Sequence, residues 1–265
     1  MAMQFFTITQ GRRARFHHLL APVPALVRVR AGIKTVLGQG APVDVTAGRF
    51  CLMPEAVPLT VENRPAPGRP YLAEALAIPR PVLERAYARL PGLNRPDEAG
   101  AVACDLPAAA EELFQCFAPG GAAARWPEPV AGLRLEELAL WAAEAGAVLA
   151  RAAPERQGDR LRGLIGAEPG ADWTAATAAR ALAMSEATLR RRLAAEGSGF
   201  AEILREMRLC HGLALLQTTA LPVGRIALEA GYASASQFAQ RFRERFGLLP
   251  REIREAEATA DRNAA

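Results

Sequence analysis

Three consecutive arginines, Arg190, Arg191 and Arg192, and two glutamines, Gln237 and Gln240, stand on two short amphipathic segments of matching pattern. In the first, Ser185 to Ala195, Leu189 and Leu193 lie four apart and must face a core. At 100° per residue Arg191 and Ala187 fall on the opposite side, flanked by Arg190, Arg192 and Thr188. In the second, Ser234 to Phe246, the apolar side is Phe238, Phe242 and Phe246; Gln237, Gln240 and Glu244 oppose it, with Ser236, Arg241 and Arg243 at the margins. Arginine can bond guanine O6 and N7 in pairs, glutamine can do the same to adenine, and the remaining arginines can hold phosphates. A solvated basic face is the bland alternative; the cap, the turn and the second copy favour DNA. Because Ser234-x-x-Gln237 also fits a capping box, Gln240 is the clearer base reader of the two glutamines.

A groove-reading helix needs a partner to set it across the groove, and both segments have one. Residues 175–193 and 223–246 each read as a short helix with small residues, a tight turn, a serine able to cap a new helix, and then the basic helix. Gly231 suits a left-handed position in the second turn. Between the copies, Phe200, Ile203, Leu204, Met207, Cys210 and Ala214 mark the inner face of a helix reaching Gln217. At ~1.5 Å per residue it spans roughly 27 Å, comparable with the ~34 Å between successive major-groove faces. The two reading helices can therefore enter adjacent turns on one side of the duplex.

At these residues the chain resembles the AraC/XylS family of bacterial transcription regulators. The resemblance rests on Trp173, on Ser185-x-x-x-Leu189-Arg190-Arg191 followed by Gly197 and Phe200, and on Arg208-Leu209 in the joining helix. It continues through Ile226-Ala227-x-x-x-Gly231-Tyr232-x-Ser234-x-Ser236-x-Phe238-x-x-x-Phe242-x-x-x-Phe246-Gly247-x-x-Pro250. It implies base contacts at Arg190, Arg191, Ser236, Gln237 and Gln240; Thr188, Arg192, Ser234, Arg241 and Arg243, around them, are assigned to phosphates. It also implies a variable N-terminal domain, often a cupin-like barrel followed by dimer-forming helices, that binds an effector or a partner protein. Two positions depart from the pattern: Ala183, where the first turn often has glycine, and Ala187, where the family carries a larger base-contacting side chain. The first copy is thus expected to read fewer bases and lean on its arginines.

The preceding residues are compatible with that layout. Residues 26–30, 33–37, 43–46, 48–54, 59–62 and 71–78 read as short strands separated by turn signals, which suggests a small β-barrel or sandwich. Helices are expected over Pro79 to Leu90, Leu106 to Phe117 and Leu133 to Ala150. In the last, Leu138, Trp141, Ala142, Ala145 and Leu149 form an apolar stripe that either packs on the barrel or pairs with its copy in a second subunit, and the resemblance favours the dimer. His17 and His18, adjacent in a strand, would point to opposite faces and could not share a metal. The expected fold is α+β in two domains, a cupin-like small β-barrel with flanking helices and an all-α double helix-turn-helix. Residues 1–104 are read as the sensing barrel, 105–165 as the helical dimerisation region and linker, and 166–258 as the DNA-binding domain.

Composition bounds this reading. Among 265 residues, 51% are hydrophobic and 23% charged, as in a soluble globular protein. No apolar run is long enough for a membrane helix and Met1 to Phe16 lacks a signal core, so a cytoplasmic location is expected. Cys51, Cys104, Cys116 and Cys210 are scattered without a C-x-x-C pair, which suggests neither zinc nor disulfides. Residues 1–104 carry 13 basic and 7 acidic side chains, 105–172 carry 6 and 11, and 173–265 carry 13 and 10, so bulk charge does not single out the C-terminal part.

The sequence therefore reads as a DNA-binding transcription regulator, an activator rather than a repressor, with double-stranded DNA and RNA polymerase as partners. It is expected to be a homodimer controlled by a small-molecule effector of unknown site, or else by a regulatory protein, with no membrane partner, cofactor or metal. A barrel enzyme lacks support because there is no activated Ser or Cys motif and no Gly-rich phosphate loop. A DNA-repair methyl acceptor fused to such a module would need a local cysteine-zinc cluster.

Overall fold

The alternation of apolar residues along the N-terminal strands sorts them into two sheets. The computed structural model describes residues 4–21, 23–38, 41–55, 57–151 and 156–253, which fall into two units divided after residue 151. In the first unit the strands are β1 Phe5–Gln10, β2 Ala14–Leu19, β3 Ala25–Ala31, β4 Ile33–Leu37, β5 Val43–Thr46, β6 Phe50–Met53, β7 Leu59–Arg64, β8 Tyr71–Ala77 and β9 Val102–Cys104. They pair antiparallel in the orders β1-β8-β3-β6-β9 and β2-β7-β4-β5. Val27, Val29, Cys51, Tyr71, Ala73 and Ala75 of the larger sheet pack against Val36, Val45, Leu59 and Val61 of the smaller. The two sheets lie face to face and do not close into a barrel.

The other face of the larger sheet carries Leu26, Phe50, Leu52 and Leu76, buried under three helices, α1 Arg80–Ala88, α2 Ala108–Cys116 and α3 Glu128–Glu144. Leu83 and Ala86 of α1, Phe114 of α2, and Leu135, Leu138 and Ala142 of α3 fill that layer. Glu136 ties α1 to α3 by accepting from Arg85 Nε at 2.8 Å and Arg89 Nε at 2.7 Å. This sheet is thus apolar on both sides, as a central layer must be.

The strands expected between residues 26 and 78 are present. β1, β2 and β9 were not expected: β2 interleaves Arg15 and His17 with buried Ala14 and Phe16, and β9 is only three residues long. α3 begins earlier than expected because Pro129 fits its first turn. It ends at Glu144, just before Gly146 at φ +86°.

In the second unit the helices are α4 Gln157–Ala167, α5 Ala175–Ala181, α6 Glu186–Ala195, α7 Phe200–Thr218, α8 Val223–Glu229 and α9 Ala235–Phe246. α4 lies across the expected junction of linker and DNA-binding domain at residue 165, where no helix was expected; Leu161 and Ile165, one turn apart, bury its inner face. α5 pairs with α6 and α8 with α9, while α7 packs against α4, α8 and α9. Phe238, Phe242 and Phe246 stack in sequence with ring centroids 5.4 and 4.7 Å apart. Phe238 lies so close to α7 that a Cβ on Gly212 would stand 2.6 Å from its ring.

Two backbone positions yield predictions. Gly32 carries the chain from β3 in one sheet to β4 in the other at φ +82°, and a Cβ there would stand 2.3 Å from the carbonyl oxygen of Arg64. Gly32→Ala should cost about 2 to 3 kcal/mol, read as a lower urea midpoint. Ala183, in the turn between α5 and α6, has φ +55°, a left-handed conformation that disfavours any Cβ. Ala183→Gly should therefore stabilise the chain by about 1 kcal/mol, raising the urea midpoint without weakening DNA binding.

Candidate nucleic-acid interface

Each reading helix starts at a serine whose side chain occupies one of the open backbone donors at the helix end. Ser185 Oγ accepts from the backbone N–H of Thr188 at 3.2 Å and lies 2.9 Å from the Thr188 hydroxyl. Ser234 Oγ accepts from the backbone N–H of Gln237, also at 3.2 Å. A cap of this kind is worth about 1 kcal/mol. It also fixes where each helix begins.

On α6, Leu189 and Leu193 are buried, and Arg190 and Arg191 are exposed on the other side. Arg192 behaves differently from its neighbours. Its Nη1 donates to Gln157 Oε1 on α4 at 3.3 Å, so a residue expected on phosphate is engaged within its own unit. Beside it the Glu196 carboxylate accepts from the backbone N–H groups of Gln157 and Gly158, both at 2.8 Å. An acid at the N-terminus of α4 satisfies donors that no backbone partner reaches and complements the helix dipole. α4 is thereby joined to the end of the reading helix, a connection that sequence reasoning missed because glycines masked α4.

On α9 the two glutamines differ in their hydrogen bonding. Ser234 caps the helix, but the reciprocal side-chain bond from Gln237 that a capping box requires is not formed among the described residues, and Ser236 and Gln237 are exposed. Gln240 Nε2 instead donates to Glu244 Oε1 at 3.1 Å, and Arg241 Nη1 donates to Glu244 Oε2 at 2.8 Å. The bond from Arg241 holds the Glu244 carboxyl below its ordinary range. Gln240 and Arg241 each commit one donor to Glu244, and exposed contacts of this type are worth roughly 0 to 1 kcal/mol. Arg243 is exposed on the same helix.

The stripe read as a dimer helix is mostly core. Leu138, Ala142 and Leu149 are buried within the protomer, and Ala145 packs against the same cluster. Leu149 also lies beyond the end of α3. Only Trp141 of the five is exposed, and it shares the outer side of α3 with Val130 and Leu133, which is 62% exposed. The physical reason is that α1, α2 and the larger sheet together claim the most apolar side of α3.

Inside the sandwich stands an unexpected group. Lys34 is the one lysine in a chain with 32 basic residues, and it is buried. Its Nζ donates to Asn63 Oδ1 at 3.0 Å, and Asn63 Nδ2 donates in turn to Gln10 Oε1 at 3.0 Å. No carboxylate pairs with Lys34 among the described residues. Burial lowers its pKa to about 8, the neighbouring Cys51 thiol is pushed up to about 12, and burial likewise raises the Tyr71 hydroxyl. Lys34 Nζ lies 5.4 Å from the centre of the Tyr71 ring, and the buried Tyr71 hydroxyl has no hydrogen-bond partner among the described residues. The alternation of β4 identifies Lys34 as inward-facing with Val36; that parity was the available signal.

Residues 178–256 match a family described as a helix-turn-helix domain. The transcriptional regulator GadX of Escherichia coli is 34% identical over 87 residues, covering 33% of this chain and 32% of that protein. The transcriptional activator CsvR of Escherichia coli is 33% identical over 95 residues, 36% of each chain. The ornithine utilization regulator of Pseudomonas aeruginosa is 39% identical over 97 residues, 37% of this chain and 29% of that one. The chain thus spans about a third of the length of the curated relatives it matches. Over nearly its whole length it has the fold of ToxT from Vibrio cholerae. The structure of ToxT bound to an unsaturated fatty acid is 12% identical, covers 94% of this chain and 92% of that one, and gives a TM-score of 0.63. A second, bound to (E)-4-(8-methylnaphthalen-1-yl)but-3-enoic acid, is 11% identical, covers 98% and 100%, and gives 0.66. The stretch shared with the relatives contains both capped helices and the helix between them, and over it the chain carries a helix-turn-helix domain similar to those of these regulators.

Proposed function

We propose that this protein is a sequence-specific transcription regulator that sets α6 and α9 into two adjacent major grooves and responds to a small molecule through its N-terminal unit. The observation that carries the DNA reading is the repeated geometry of a serine-capped helix that buries one apolar stripe and exposes Arg190 and Arg191, or Ser236 and Gln237, opposite it. Base reading is assigned to these four and to Gln240. Phosphate contact is assigned to Thr188, Arg192, Ser234, Arg241 and Arg243. Activation through RNA polymerase is supported by the likeness to an activator. A homodimer, which the family resemblance implies, would use the exposed Val130, Leu133 and Trp141.

For control by a small molecule rather than a protein, the supporting observation is Lys34 with Tyr71. Among the described residues the buried amine has no counter-charge and the buried hydroxyl no partner, and two such donors in an apolar sandwich suit a carboxylate carried on an apolar body. Both ToxT ligands named above are apolar carboxylic acids.

Selection from a random DNA pool by the full chain should enrich one motif with two half-sites, and failure of enrichment at moderate salt removes specific binding. On that motif Arg191→Ala should cost about 1 to 3 kcal/mol and relax preference at one position; an unchanged footprint and affinity would remove its base-reading role. For the effector, oleate should raise the melting temperature of the full chain, and Lys34→Met should abolish the rise. The affinity should fall as the pH climbs through about 8, because a neutral amine no longer pairs with the carboxylate, while Cys51 stays a thiol throughout that window. With a single lysine, isotope-labelled lysine gives one side-chain amine signal in which this protonation is read directly. If neither melting temperature nor signal responds to apolar acids, control by a protein partner is the better reading.

A further inference from the structure

We propose that Arg208, on α7, is a positioning residue that fixes the setting of one reading helix relative to the other and so determines which half-site spacing the C-terminal unit accepts. This rests on the reading of that unit as a two-groove DNA binder. Standing on α7, Arg208 touches two other parts of the unit at once. Its Nε donates to the carbonyl of Pro169 at 3.1 Å and its Nη2 to the carbonyl of Ala171 at 2.8 Å, in the segment that leads into α5. Its guanidinium also lies against Gly231, the turn between α8 and α9, where a Cβ would stand 2.6 Å from Nε and 2.7 Å from Cζ.

The segment that Arg208 grips is itself seated on the second module. A Cβ on Gly170 would stand 2.6 Å from the carbonyl oxygen of Glu229, at the end of α8. The same segment is closed by Trp173, whose indole Nε1 donates to the Glu168 carbonyl at 2.8 Å, and is followed at once by Thr174, the cap of α5. The entry to the first module, the joining helix and the turn of the second module therefore meet at one flat cation. Lysine could keep one carbonyl bond but not the planar contact with Gly231.

Moving one half-site by a single base pair shifts it by about 3.4 Å and rotates it by about 35°, a change that a rigidly joined pair of helices does not follow. The test measures binding of the full chain to the selected motif and to duplexes with the half-sites one base pair closer or farther apart. The wild type should lose about tenfold or more in affinity at either altered spacing. Arg208→Ala should bind the parent motif more weakly but discriminate among spacings by less than about threefold, and Arg208→Lys should fall between. Footprints over each half-site should persist in both. Ile203→Val, a core change in α7, controls for stability loss and should keep the wild-type spacing preference. Equal weakening by Arg208→Ala and Arg208→Lys at all three spacings, with discrimination intact, would overturn the proposal. A wild type that binds all duplexes alike would instead overturn the two-groove reading beneath it.

Discussion

A helix of seven residues does not hold itself together in water, and the C-terminal unit contains two, α5 and α8. α5 persists because α6 supplies apolar surface, and α8 because α9 and the long α7 do. Fully burying a phenylalanine contributes about 1.5 to 3 kcal/mol, so the stack of Phe238, Phe242 and Phe246 outweighs the serine cap of α9. The cap sets where the helix begins, and the stack decides that it forms. Gly212 matters for the same reason, since Phe238 can approach α7 only where no side chain intervenes. The exposed faces of α6 and α9 are thus what remains after their buried faces have been committed.

The N-terminal unit meets a different constraint. Its larger sheet is covered on both sides, by the smaller sheet and by α1 to α3, so almost every inward position must be apolar. Lys34 breaks that rule at a cost. Depression of its pKa from 10.5 to about 8 corresponds to about 3 kcal/mol against the charged form. The folded state binds that proton less tightly than the unfolded chain does, so the cost is fully present below pH 8 and disappears as the pH rises past 10.5. An anion beside the amine would offset it. Glu136 shows the opposite solution, a buried carboxylate held by two arginines and kept below its ordinary range by the bond from Arg85.

Much of this was legible in the residues. Strands β3 to β8 announce themselves as short apolar or alternating runs between turn signals, and the capped helices by serine followed by an apolar stripe at helical spacing. What was not legible had identifiable causes. β2 carries Arg15 and His17 on its outer side, which dilutes the strand signal. α4 contains Gly158, Gly163 and Gly166, and glycines read locally as breaks; at Gly158 a Cβ would press on the Glu196 carboxylate at 3.0 Å. The apolar stripe of α3 was visible, but a stripe does not say which surface covers it. The glutamines of α9 lie on the expected side, yet their hydrogen-bond partners depend on Glu244, four residues beyond Gln240.

The chain's choice of cations divides the chemistry of its two units. Every cationic side chain in the C-terminal unit other than histidine is an arginine, a group that keeps its proton throughout the biological range. The charge offered to a phosphate backbone by these groups is therefore constant with pH. Lys34, the one side-chain amine, lies in the other unit, where removal from water brings its titration close to neutrality. Amine-directed modification, such as acetylation, accordingly has no side-chain target on α6 or α9.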